Sequence, residues 1–282
     1  MEPMTAFTAP IEGSAWVGLE MRSHDELRFA WMSALEATLD LVEDLLKEWD
    51  PLAPGWHWSF FHSIAPLSAL GTAGHARPGD LLPAIDQARC MWAGGRLTIR
   101  APIRTGEQMA CHSTIYSVNE KNGASGQLRF VTVRHHLTSA SGGDVLEDHD
   151  IVYLAVAGST TFMRQSAPLP TACHDPEITL SVTPPALQLF CYSALTFKSH
   201  RIYYGADYAR SQEGYSGVIV HGPLVATFPL QRLRKRGSAR VSREFTYRAH
   251  NPLILGRSCS LMRAPRVNAA VCGPGDRRVM RS

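Results

Sequence analysis

Gln108-Met-Ala-Cys-His-Ser-Thr-Ile-Tyr-Ser-Val118, the turn Lys121-Asn-Gly-Ala-Ser-Gly126 and Gln127-Leu-Arg-Phe-Val-Thr-Val-Arg-His-His136 follow one another in mid-chain. Both runs are strand-like, the second alternates well, and Asn-Gly lies between them, which is a hairpin pattern. Gly142-Gly143 turns the chain into a third run, Val145 to Val156, centred on Ile151, Val152 and Tyr153. Upstream, Met91-Trp92 and Leu97-Thr-Ile99 flank Gly94-Gly95 and read as a further strand. Long strands joined by short glycine turns predict an antiparallel sheet.

Before the strands, Leu27, Trp31, Leu35, Leu39, Val42, Leu45, Leu46 and Trp49 recur at helical spacing. The pattern predicts an amphipathic helix over 25–49 with a break somewhere along it, N-capped by Asp25 and ended by Pro51. A helix beside antiparallel strands is an α+β arrangement. Residues 161–187 hold Pro168, Pro170, Pro184 and Pro185 among Ser and Thr, and read as a linker. They divide the chain into an N-terminal unit, 1–160, and a C-terminal unit, 188–282. In the second unit a polar stretch, 192–217, leads into a helix from Pro223 to about Arg236, in which Pro229 predicts a kink. Strands are expected at Ser242–Ala249, Arg257–Arg263, Asn268–Cys272 and Arg277–Arg281.

Composition excludes several classes. The 282 residues carry a net charge of +3, with 45% hydrophobic and 19% charged residues, an ordinary globular balance. No apolar run approaches the ~20 residues of a membrane span. The N-terminus, with Glu2 and Glu12, lacks signal-peptide and transit-peptide character, so the expected location is cytoplasmic, with the mitochondrial matrix as the alternative. The basic group Arg232, Arg234, Lys235, Arg236 reads as a dipole-favoured helix end, and no nucleic-acid or membrane partner is expected. Six scattered cysteines without C-x-x-C spacing indicate a reducing compartment. No metal or other cofactor is expected; Cys173-His174-Asp175 reads as an exposed loop. Trp56-His57-Trp58 and Phe60-Phe61-His62 form an aromatic cluster before a loop, Gly71–Asp80, that a ligand pocket could use.

Chemistry concentrates in Tyr192-Ser-Ala-Leu-Thr-Phe-Lys-Ser-His-Arg-Ile-Tyr-Tyr204 and Gly214-Tyr-Ser-Gly-Val-Ile-Val-His-Gly-Pro-Leu224. Gly222-Pro223 is a helix opening, because Pro at the first helical position loses no needed N–H. The free N–H groups of such an opening can hold a carbonyl oxygen that becomes negative during reaction.

Arg89-Cys-Met-Trp-Ala-Gly-Gly-Arg-Leu97, Leu128-Arg-Phe-Val-Thr-Val-Arg-His135, Asp150-Ile-Val-Tyr153, Tyr192-Ser-Ala-Leu-Thr-Phe-Lys-Ser-His-Arg-Ile202 and Val220-His-Gly-Pro-Leu224 resemble the MaoC-like double-hotdog hydratases and dehydratases. The resembling branch is that of 3-methylfumaryl-CoA (mesaconyl-C4-CoA) and itaconyl-CoA hydratases and the mitochondrial type-2 3-hydroxyacyl-thioester dehydratases. The resemblance covers residues 15 to 282. It implies two curved antiparallel sheets, each wrapped around a long helix, with binding in the N-terminal half and chemistry in the C-terminal half. It also implies reversible hydration of an enoyl-CoA thioester by a monomer or homodimer. By family position the catalytic candidates are His200, Tyr203, Lys198 and Gly222. Arg201, Tyr192, His221, Trp92 and Gly94 are candidates for binding.

The family pattern is broken at its polar positions. Lys198 stands where the branch carries Asn and related hydratases Asp, Tyr203 where they carry His, and Gly205 where an Asp follows. A phenol is a poor base near neutral pH, although the charge of Lys198 would lower its pKa. Two readings follow: an enzyme with His200, Tyr203 and Lys198 in altered roles, or a degenerate member that binds thioesters or a partner chain. A thioesterase, the third reading, would want a carboxylate beside Gly222, for which Glu213 is a poor candidate.

Overall fold

The computed structural model describes residues 13–43, 45–74, 81–82, 88–123, 126–155, 178–234, 244–249, 251–264 and 267–272. The expected strand Arg277–Arg281, the Cys173-His174-Asp175 loop and most of the Gly71–Asp80 loop lie outside these residues. Four long strands, β2 (Ala88–Ala101), β3 (Gln108–Gly123), β4 (Gly126–Ser139) and β5 (Asp144–Ala155), match the alternating runs. They pair antiparallel, and β1 (Glu20–Glu26) and β7 (Glu244–Arg248) add the two outer strands of a six-stranded sheet ordered β1-β3-β4-β5-β2-β7. A second sheet of three strands, β6 (Ile178–Val182), β8 (Cys259–Ala264) and β9 (Val267–Cys272), is also antiparallel. β6 lies inside the stretch expected to be a linker. β7, from the second half of the chain, pairs with β2 of the first, so one sheet spans both halves.

The helix expected over 25–49 is corrected. α1 covers only Phe29–Thr38, and Asp25 belongs to β1, paired with Met109. The helix stops because Asp40 takes a left-handed conformation, φ 55°. The Leu41 N–H then closes on the Glu36 carbonyl at 3.0 Å and the Asp40 N–H on Ala37, the double bond of a Schellman exit. The buried Glu36 carboxylate accepts the Leu46 N–H at 2.6 Å and folds the following loop back. Leu39 and Leu46 therefore bury, while Val42 and Trp49 stay 78% and 58% exposed. Their helical spacing was coincidental.

α2 (Ala186–Leu195) repeats this design, a helix of 10 residues like α1. Phe197 adopts φ 50°, and the Lys198 N–H closes on the Ser193 carbonyl at 2.9 Å. α1 and α2 pack together: Gln188 Nε2 donates to the Thr38 carbonyl at 2.8 Å, and Trp31 Nε1 to the Leu195 carbonyl at 3.2 Å. A short α3 (Ala206–Ser211) precedes α4 (Gly222–Arg234), which runs on through Pro229 where a kink was expected. The longest described helix is thus α4, and its Leu224 and Leu230 share one core with Leu35, Leu97, Leu137 and Tyr192.

A polar stripe crosses the inner face of the large sheet between two apolar clusters. Along β5, Val145 joins the larger cluster and Ile151 and Tyr153 the smaller, and between them on the same face stand Glu147 and His149. The Glu147 carboxylate is 1% exposed. It accepts His57 Nε2 at 2.6 Å, Trp58 Nε1 at 2.7 Å and the Tyr247 hydroxyl at 3.3 Å. His149 Nε2 lies 2.7 Å from the same carboxylate. Burial alone would raise the pKa of Glu147, but the two histidines outweigh it and hold the carboxyl well below the usual range.

A carboxyl with a depressed folded-state pKa stabilises the fold above its ordinary pKa, and that stability drains away as pH falls through the lower value. Glu147→Ala is expected to cost about 3–5 kcal/mol, since it strands the partner donors. The stability gap between the natural chain and Glu147→Gln should narrow as pH falls below about 4.5. Urea titrations at neutral pH and at about pH 3 check both; a gap that widens in acid would contradict the ionised assignment.

Candidate functional site

The stretch from α2 to α4 gathers most of the predicted residues around the start of α4. The Schellman exit of α2 delivers Lys198 immediately after the helix. A 3-10 turn, Arg201–Tyr203, follows, and its Tyr203 ring stacks on His221 at 3.8 Å and 22°. A hydrogen bond of 2.8 Å joins His221 Nε2 to the Ser193 hydroxyl, and Tyr192 meets His221 edge-on at 5.2 Å. His200 meets Tyr203 edge-on at 5.8 Å. The extended run before α4 is fixed from both sides: Ile219 N–H donates to the Ile202 carbonyl at 3.0 Å and Val220 N–H to the Leu253 carbonyl at 2.8 Å.

The N-terminal half supplies the opposite wall. Trp92 of β2 lies so close to Gly222 that a Cβ there would overlap its Cε3. Trp92 in turn packs on Tyr247 at 4.6 Å, Trp58 at 5.6 Å and His149 at 5.8 Å. Glycine at 222 is thus demanded by close approach rather than by backbone conformation. Gly74, from the loop before β2, lies against the Ser199 carbonyl, and Ala73 accepts the Arg201 N–H at 2.8 Å.

Two predicted residues take other places. Arg201 donates to the Thr72 carbonyl at 3.3 Å and lies over the Tyr208 ring at 4.4 Å, a clamp between loop and helix. At Gly94 a Cβ would meet the Tyr247 carbonyl at 2.5 Å, so Gly94 permits the pairing of β2 with β7. Tyr192, 2% exposed, is packed in the core. Glu213 accepts the Tyr208 hydroxyl at 3.2 Å within its own loop.

Electrostatics correct one expectation. Burial, with Tyr215 and Cys90 nearby, raises the Tyr203 phenol above its ordinary pKa instead of lowering it. The Lys198 charge acts elsewhere: on His221, which burial and that charge push down to about 3, on His62, and on Cys90. Burial raises the Cys90 thiol to about 11. It lowers the Lys198 ammonium, which the nearby thiol opposes. Lys198 and Cys90 are nevertheless exposed residues. Solvent reaches both, so neither belongs to a sealed core. A separate cavity of about 20 Å³, lined by Leu52, His57, Leu97, Leu137 and Val145, has room for about one water and no acyl chain.

Sequence reasoning named His57 and Trp58 in an aromatic cluster beside a possible pocket, but missed Glu147 and Tyr247, which with them support Trp92. The signal was available in β5, where Glu147 and His149 occupy inward positions between Val145 and Ile151. It also missed Ser193 as the partner of His221. Among the described residues no cluster could hold a metal ion, and no helix is long and apolar enough to cross a membrane.

Residues 55–255 match the family described as hydroxyacyl-thioester dehydratase type 2. The chain belongs to this family. It is an enzyme of the hydratase/dehydratase class. The chain is 37% identical over 240 residues to mesaconyl-C(4)-CoA hydratase of Chloroflexus aurantiacus, covering 85% of this chain and 84% of that one. It is 25% identical over 209 residues to the mitochondrial hydroxyacyl-thioester dehydratase type 2 of Schizosaccharomyces pombe, covering 65% and 67%. The fold is similar to a MaoC-like dehydratase from Phytophthora capsici, with a TM-score of 0.66, 11% identity and 93% of each chain covered. A Mycobacterium tuberculosis protein described as a double hotdog aligns with a TM-score of 0.57, 12% identity and 94% of each chain covered. The α+β double hotdog expected from the sequence is the fold of this chain.

The contact between Gly222 and Trp92 is testable by a double-mutant cycle. Gly222→Ala is expected to destabilise by about 1–3 kcal/mol, as overpacking does. Combined with Trp92→Leu, the same change should cost clearly less, a coupling of at least about 0.5 kcal/mol. Additive losses in chemical denaturation would show that the ring and the helix start do not press on each other.

Proposed function

We propose that this enzyme adds water to, or removes it from, a short-chain enoyl-CoA/3-hydroxyacyl-CoA pair. The acyl groups of this reading are branched dicarboxylic ones, mesaconyl-C4 or itaconyl. The observation that carries the reading is the start of α4. There Gly222 is preceded by His221, whose ring stacks on Tyr203, and is walled by Trp92 of the other half. In this reading Gly222 N–H holds the thioester oxygen as it becomes enolate-like. Tyr203, kept as a phenol by burial, orients the water or hydroxyl and donates a proton. His200, edge-on to Tyr203, accepts one. His221, neutral and hydrogen-bonded to Ser193, fixes the Tyr203 ring by stacking. The N-terminal unit, residues 1–160, contributes the binding wall, and the C-terminal unit, from residue 188, the reacting groups. The 37% identity to a mesaconyl-C(4)-CoA hydratase supports the acyl choice.

One observation favours a second reading. Tyr203 and His221 are both held uncharged, and the Lys198 charge does not activate the phenol, which is what a degenerate binding protein would show.

Turnover of mesaconyl-C4-CoA and itaconyl-CoA by the purified chain separates the two. The working enzyme should lose about 10²–10⁴-fold in rate on His200→Ala or Tyr203→Phe. The degenerate protein should show background hydration only, and gain by that order in Lys198→Asn/Tyr203→His. Fast turnover that neither single substitution slows would place the site elsewhere.

A further inference from the structure

We propose that Glu147 is a positioning residue for the reaction: through the rings of Trp58 and Tyr247 it fixes Trp92, and through Trp92 the direction of the Gly222 N–H. This inference rests on the thioester reading given above. The three rings form one layer. Trp92 packs on Tyr247 at 4.6 Å and 48° and meets Trp58 edge-on at 5.6 Å, while Trp58 meets Tyr247 edge-on at 5.8 Å. Apolar contact is non-directional and lets a ring slide against its neighbour; a hydrogen bond at the rim removes that freedom. Two of the three rings carry such a bond, and both bonds end on one atom. Trp58 Nε1 donates to Glu147 Oε1 at 2.7 Å and the Tyr247 hydroxyl to the same oxygen at 3.3 Å. The carboxylate is itself held, since its other oxygen bonds His57 Nε2 at 2.6 Å. Burying a carboxylate is a costly way to fill a core, and well-packed apolar residues often serve stability as well. What Glu147 adds is direction.

The backbone is cut to admit this layer. Gly95 stands across from Tyr247 in the register of β2 and β7, and an added Cβ there would overlap the Tyr247 hydroxyl. Glycine thus leaves the phenol its path to Glu147. Gly55, at φ 82°, opens the turn that carries His57 and Trp58. A Cβ on Gly55 would meet the Trp58 ring at 2.8 Å and Leu230 Cδ1 of α4 at 2.9 Å. α4 therefore leans on the layer at two points, at Gly222 against Trp92 and at Leu230 beside the Trp58 turn. The first contact leaves little slack, because even a methyl group on Gly222 would overlap the indole. A shift of Trp92 is then a shift of the helix start. An oxyanion donor works only when it is aimed at the place the oxygen comes to occupy, and a misplacement of about 1 Å can cost about 100-fold in rate.

Tyr247→Phe deletes one rim bond and keeps the ring, and Glu147→Gln keeps the shape and deletes the charge. In steady-state assays of the full chain with mesaconyl-C4-CoA and itaconyl-CoA, each is expected to lower kcat about 10- to 100-fold. KM should stay within about 3-fold, the split of an interaction that matters in the transition state alone. In a Trp92→Phe background neither substitution should lower kcat by more than a further ~2-fold, since the link they act through is already loosened. A second cycle reads the same link without turnover. In chemical denaturation Gly222→Ala should cost clearly less in Tyr247→Phe than in the natural chain, because an untied Trp92 can yield to the methyl group. A kcat loss that repeats in full in Trp92→Phe, or a rise in KM in place of a fall in kcat, overturns the positioning role and leaves the hydration reading standing. An unchanged kcat in both variants, or additive costs in the denaturation cycle, overturns it equally. No turnover of either thioester by the natural chain overturns the hydration reading, and Glu147's part in it.

Discussion

An ionised carboxylate sealed inside a sheet protein must be surrounded by donors or lose its charge, and Glu147 is surrounded. The penalty for taking such a group out of water runs to several kcal/mol. It is offset by donors from separate parts of the chain, His57 and Trp58 from the 3-10 turn and Tyr247 from β7, and by the close approach of His149 from β5. Each of these side chains has little freedom left once it faces the carboxylate. Tyr247, Trp58 and His149 are also the rings among which Trp92 sits, and Trp92 is the wall of Gly222. The position of the candidate oxyanion donor therefore depends, through one layer of aromatic packing, on the buried charge of Glu147.

The long strands were legible because their alternation and turns are local signals. β2 to β5 appear where the pattern puts them, and Gly222-Pro223 opens a helix as a Gly-Pro pair should. What was not legible depended on partners distant in sequence. β1 reads as a helix start until β3 is placed beside it, since Ser23-His24-Asp25 carries a capping signal of its own. The end of α1 turns on Asp40 in a left-handed conformation and on Glu36 bonding the Leu46 N–H, neither visible in the spacing of Val42 and Trp49. At the candidate site, Gly222 was legible from the Gly-Pro helix opening and the 192–204 stretch from its polar groups, while the roles given to Lys198 and Tyr203 came from family position. The diversion of Arg201 to Thr72 was hidden because its partner lies 129 residues away.

The two helix exits show how one local device serves two purposes. Glu36 and Ser193 occupy the same step of α1 and α2, each giving its carbonyl to the closing N–H. In the first half the Glu36 side chain folds the next loop back on itself, whereas the Ser193 side chain reaches 28 residues on to His221. The position that follows is Leu41 in one half and Lys198 in the other. Identical backbone geometry thus leaves the chemistry to side-chain identity, which is why sequence divergence between the halves coexists with a common architecture.

The pairing of β7 with β2 has a consequence for how the protein is made. Synthesis runs from the N-terminus at about 5–20 residues per second, and the stretch between Ala155 and Glu244 occupies the ribosome for roughly 5–20 s. During that time β1 to β5 are available to pair, but β2 has an open side, and Leu97 lacks Phe245 across from it. The nascent sheet then carries an unpaired edge of the kind that recruits other chains. Gly94 and Gly95 form one end of the stretch that β7 pairs with and weaken it as a template, since glycine offers an approaching strand no side chain to pack on. The glycines that admit β7 in the finished protein thereby also guard the vacancy until β7 arrives.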